Sequence, residues 1–176
     1  TPPAACEAAI RAMREGETKY THSLGLPELR EAIAAHYGRR YGVAVDPGRI
    51  LVSSGSSPLL LLLFSALLEE GDEGILSAPC YACYPNFIRF PGGIPRFIRT
   101  REEDGFQPRP EEVRRLITPR TRGVFVNSPS NPAGSVLPPS WLRELASLPV
   151  PLISDEVYHG LTYEGEEHSA LEFDPD

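Results

Sequence analysis

The chain of 176 residues is 41% apolar and 23% charged, a composition that suits a folded globular domain and excludes a disordered polypeptide. A formal net charge of -7 gives no electrostatic basis for nucleic-acid binding, and the longest apolar run, residues 58–68, is too short to span a bilayer. Three cysteines do not make a disulfide framework and no basic-then-apolar leader opens the sequence, so the expected setting is cytoplasmic, with no signal peptide.

In chain order, an alanine-rich helix is predicted over residues 3–15, stopped by Gly16. A loop over 17–26 leads to a second helix opened by Pro27, with Leu29, Ala32, Ile33 and Tyr37 on one face. Past Asp46-Pro47-Gly48 the pattern changes. Residues 50–53 read as a strand, Gly55-Ser56-Ser57 as a turn, and Pro58 as the start of an apolar helix ending near Gly71. Strands over 74–78, 94–100, 123–127 and 151–154 then alternate with helices over 84–90, 110–117 and 138–147. Such alternation implies an α/β fold, a mostly parallel sheet with helices on both faces. Ligands bind beyond the carboxyl ends of such strands, which directs attention to Gly55, Pro79, Asn127 and Asp155.

Four motifs sit at those places. Ser54-Gly55-Ser56-Ser57-Pro58 joins a strand to a helix, where unpaired amides and the helix dipole favour an anion such as a phosphate; the plainer reading makes Ser57 only an N-cap. No Walker lysine and no G-x-G-x-x-G accompany it, which argues against a nucleotide. In Pro79-Cys80-Tyr81-Ala82-Cys83-Tyr84-Pro85, the C-x-x-C lacks the second pair a zinc site needs, although a redox dithiol stays open. Tyr81 either packs in the core or stacks on a flat heteroaromatic ring. The polar turn from Asn127 to Gly134 carries Asn127 and Asn131, whose amides could donate to a ring oxygen or a carboxylate. Last, Asp155 follows an apolar strand, where a carboxylate is either satisfied structurally or paired with a cation such as a protonated pyridine nitrogen. The spacing of Tyr158 could bring its hydroxyl to the same place.

Taken in order, these motifs resemble the fold-type I, pyridoxal 5'-phosphate-dependent aminotransferases of class I/II. The likeness starts at Tyr20-Thr21-His22-Ser23-Leu24-Gly25-Leu26-Pro27-Glu28-Leu29-Arg30 and runs through the Asn-Pro-x-Gly of residues 131–134 and the Asp-x-x-Tyr of residues 155–158. It implies a helical segment over residues 1–46, belonging to a small domain or dimer arm, and a cofactor-binding large domain from residue 47 to 176. It assigns Ser56 and Ser57 to the cofactor phosphate, Tyr81 to stacking on the ring, Asn131 and Tyr158 to the ring hydroxyl, and Asp155 to the pyridinium. Tyr20 would reach the phosphate of a neighbouring subunit in a homodimer. The substrates implied are an amino acid and a 2-oxo acid. Related possibilities are a carbon–sulfur lyase of the same shape and a non-catalytic regulatory domain. The sequence contains one lysine, Lys19, in the wrong segment for the family's cofactor linkage, so the chain is expected to be part of a longer protein and inactive alone.

Overall fold

The computed structural model describes residues 1–174. Six α-helices precede or interleave with four strands. Helices α1 (Pro3–Arg14), α2 (Pro27–Tyr41) and α3 (Ser56–Leu67) come first, followed by β1 (Glu73–Ala78), α4 (Tyr84–Arg89) and β2 (Ile94–Arg99). Then come α5 (Pro110–Leu116), β3 (Thr121–Asn127), α6 (Pro139–Ala146) and β4 (Leu152–Asp155), with short 3₁₀ turns at Pro47–Arg49, Glu102–Asp104 and Ala170–Glu172. All three strand pairings are parallel, in the order β2-β1-β3-β4, so the four carboxyl ends share one rim.

Side-chain alternation along the inner strands divides the core in two. Ile75 of β1 with Val124 and Val126 of β3 point to one face, where Val113 of α5 and Leu142 and Leu145 of α6 cover them. Leu76 and Phe125 point to the other face, against Phe64 of α3 and Tyr84 and Ile88 of α4. The fit on this second face is close. A Cβ at Gly74 would stand 2.8 Å from Ile88 Cδ1, so the glycine lets α4 lie against β1.

The predicted strand over residues 50–53 is not one. Among the described residues it has no sheet partner, and the Val52 amide donates instead to the carbonyl of Leu24 at 2.9 Å. Extended backbone becomes a strand only when a ladder forms beside it. The apolar helix starts at Ser56, two residues before Pro58, because Gly55 takes the N-cap position with φ of 145°, where side chains are strained. On α2 the predicted face is only partly inward: Ile33 and Tyr37 are half-buried, whereas Leu29 and Ala32 are exposed. Neither α1 nor α2 carries a fully buried residue. No helix among the described residues is long and apolar enough to cross a membrane.

Candidate functional site

The rim of carboxyl ends, together with the start of α3, encloses a cavity of about 200 Å³ lined by Ser56, Ser57, Leu60, Tyr81, Tyr84, Asn131, Asp155, Val157 and Tyr158. Six of these are sequence-predicted site residues, drawn from four separate segments. Tyr20 is not among them. It is fully exposed on the loop between α1 and α2.

Each segment places its residues for a local reason. Ser56 and Ser57 are the first two residues of α3, and no side chain caps that helix. The N-cap reading of Ser57 is therefore wrong, and the first-turn amides, which have no carbonyl of their own helix to bind, point toward the cavity end. Tyr81 and Tyr84 lie in the turn between β1 and α4, closed by the Tyr84 amide donating to the Tyr81 carbonyl at 3.1 Å. Their rings meet edge to face at 5.3 Å. A hydrogen bond with Cys83, then the charge of that thiol, raise the Tyr81 phenol above its ordinary range.

The two asparagines separate into different duties. Asn127 lies at the end of β3, where its amide nitrogen donates to the carbonyl of Asp155 at 2.9 Å and its amide oxygen accepts from the Asn131 backbone at 2.6 Å. It is a structural brace between two strand ends and the loop. Asn131, released from that work, donates from Nδ2 to the Tyr158 hydroxyl at 3.3 Å on the cavity wall. Below the loop, buried Gln107 donates to the carbonyl of Ser135 at 3.0 Å and to that of Asn127 at 3.4 Å.

Asp155 is the last residue of β4, one position inside the predicted loop. Its Oδ1 accepts from the Val157 amide at 3.1 Å and its Oδ2 from the Tyr84 hydroxyl at 2.8 Å. Burial first, and the hydrogen bond to Asp155 second, push the Tyr84 phenol far above its ordinary range. Sequence reasoning placed Tyr84 at a helix start, with a core role open, and gave it no part in the site; it is in fact a core residue. The signal available was its spacing of three from Tyr81, which puts both rings on one side of a turn. Gln107 carried no signal.

The cysteines that flank Tyr81 are free thiols, and burial pushes that of Cys80 up, away from the reactive thiolate. No group of three or more metal-ligating side chains comes together among the described residues.

The parallel sheet of this chain, covered by helices and hollowed at its carboxyl rim, matches part of the large-domain architecture of the fold-type I aminotransferases. The chain belongs to the aminotransferase class I and II family, whose model matches residues 1–175, and that family depends on pyridoxal phosphate. It is 47% identical over 173 residues to an aspartate/prephenate aminotransferase of Thermus thermophilus, covering 96% of this chain and 45% of that protein. It is 40% identical over 175 residues to an aspartate aminotransferase of Geobacillus stearothermophilus, covering 97% and 44%. The structure of the Thermus thermophilus aspartate aminotransferase with maleate superposes with a TM-score of 0.96 at 45% identity, covering 99% of this chain and 47% of that one. An alanine aminotransferase from Pyrococcus furiosus superposes with a TM-score of 0.92 at 39% identity, covering 96% and 44%. The chain thus spans a little under half the length of the relatives it matches.

Proposed function

We propose that the chain is the cofactor-holding part of an aminotransferase that moves an amino group from an amino acid to a 2-oxo acid. The observation that carries this is the convergence of Ser56, Ser57, Tyr81, Asn131, Asp155 and Tyr158 on one cavity of about 200 Å³.

The donor set fits pyridoxal phosphate group by group. First-turn amides of α3, with the Ser56 and Ser57 hydroxyls, address a phosphate with the help of the helix dipole. The ring of Tyr81 covers a flat heteroaromatic face. Asn131 Nδ2 and the Tyr158 hydroxyl, already 3.3 Å apart, address one oxygen substituent of the ring. The Asp155 carboxylate holds the proton on the pyridine nitrogen. When bound, the cofactor supplies a cationic ring that accepts the electron pair released at the amino acid's α-carbon.

Residues 1–46 form, in this reading, a helical segment apart from the cofactor-binding domain that begins at 47. The absence of fully buried residues from α1 and α2 supports that division. We extend the reading to a cytoplasmic homodimer in which Tyr20, fully exposed in this chain, reaches the partner's phosphate site. The test is the visible absorption of the full-length protein titrated with pyridoxal phosphate, read together with its turnover. Asp155→Ala should weaken binding by about a hundredfold, the equivalent of a lost charge-assisted contact, and nearly abolish transamination. Undiminished affinity and turnover in that variant would sink the proposal.

A further inference from the structure

Backbone pairing fixes the main chain of Asp155 at the end of β4 but not its carboxylate. Asp155 is half-buried, and its side chain has two torsions to fix. The contact of Oδ1 with the Val157 amide is local, made within the same turn. The contact of Oδ2 with the Tyr84 hydroxyl joins residues 71 apart in sequence, across from the start of α4 to the end of β4. Tyr84 is itself firmly seated. It is 3% exposed, its ring centroid is 4.2 Å from that of Phe125 in the core and 5.3 Å from that of Tyr81 on the cavity wall.

From this geometry we infer that Tyr84 is the positioning residue for Asp155, aiming its carboxylate at the ring nitrogen of the bound cofactor. The inference rests on the cofactor reading above. A phenol is a single directional donor, and each carboxylate oxygen accepts more than one hydrogen bond. With one lone pair of Oδ2 taken by Tyr84 and one of Oδ1 by Val157, the plane of the carboxylate is set while acceptor capacity remains toward the cavity. The phenol keeps its proton through the working pH range, because burial and the adjacent carboxylate both oppose its loss. Removing the hydroxyl would leave the carboxylate free to turn and Oδ2 without its partner.

The experiment measures dissociation constants of the wild type, Tyr84→Phe, Asp155→Ala and the double variant for pyridoxal phosphate and for its 1-deaza analogue, in which carbon replaces the ring nitrogen. Phenylalanine keeps the ring that packs on Phe125, so the fold is preserved. Tyr84→Phe should bind pyridoxal phosphate about tenfold more weakly, the loss expected for one hydrogen bond to a charged group. The double variant should bind no more weakly than Asp155→Ala alone, because the hydroxyl acts through the carboxylate. Wild type and Tyr84→Phe should bind the deaza analogue equally. As a packing control, Phe125→Leu should lower the melting temperature and leave the affinity near wild type. Equal affinity of Tyr84→Phe and wild type for pyridoxal phosphate would overturn the inference. So would an equal loss toward the deaza analogue, additive losses in the double variant, or a Phe125→Leu defect that mimics Tyr84→Phe. If Asp155→Ala itself binds like wild type, the cofactor reading fails first.

Discussion

Gly55 and Asn127 show how much of the cavity depends on residues that would not contact a ligand through their side chains. The φ of 145° at Gly55 starts α3 at Ser56 and so sets where its first amides point. Any side chain there is strained by about 1–2 kcal/mol, although the space around the position is open. Gly55→Ala should therefore reduce affinity for pyridoxal phosphate about tenfold in an absorption titration, with only a small drop in melting temperature. Asn127 gives the opposite pattern. Its side chain ties the end of β3 to Asp155 and to the Asn131 backbone, so Asn127→Ala should cost about 2 kcal/mol in chemical denaturation. Asn131→Ala, which removes only the amide facing Tyr158, should weaken cofactor binding and leave stability nearly unchanged.

At the scale of elements, the sheet has a functional end and a structural end. Opposite the cavity rim, buried Glu73 at the start of β1 accepts from the Thr118 hydroxyl at 2.7 Å and faces Arg96 at 3.5 Å and Arg120 at 3.6 Å. Glu73→Ala should cost about 2 kcal/mol, seen as an earlier denaturant midpoint, without altering cofactor affinity. The alternation of strands and helices from β1 to β4 was legible in the sequence because apolar runs of strand length were separated by proline and glycine joints. The status of residues 50–53 was not, since pairing and not composition makes a strand. Of the cavity lining, Ser56, Ser57, Tyr81, Asn131, Asp155 and Tyr158 were each visible because they fall in turns or at the ends of predicted elements, in motifs that resemble those of a known family. The Tyr84–Asp155 bond was invisible, for it depends on how far α4 folds back toward the end of β4, a distance that no local pattern encodes. By residue type alone the two asparagines looked equivalent; only the resemblance singled out Asn131, and the strand ends show that the Asn127 amide is already spent.

Over the whole molecule, the carboxyl end of α2 is joined by polar contacts to the loop that follows β4. Arg40 pairs with Glu167, whose carboxylate also accepts from the Gly160 amide and, at 2.7 Å, from the Thr162 hydroxyl. Burial works to raise the Glu167 carboxyl, and the bonds from Thr162, Gly160 and Arg40 outweigh it, so its pKa falls below the ordinary 4.5. The unfolded chain then takes up this proton before the folded one as pH falls. The stabilising contribution is whole above the ordinary value and is lost as pH drops through the lower, folded-state value. Glu167→Gln should accordingly flatten the acid limb of the stability curve, measured by urea denaturation across that range. The proposed dimer has its own test in the full-length protein: mixing its Tyr20→Phe and Asp155→Ala variants should restore transamination, because each hybrid would own one intact site.

Beside that ion pair, the hydroxyl of Tyr41, the last residue of α2, lies 2.6 Å from Nδ1 of His159, the immediate neighbour of Tyr158. That bond ties the carboxyl end of α2 to the turn that carries Tyr158, so the placement of one cavity-lining residue depends in part on a helix that lies outside the sheet.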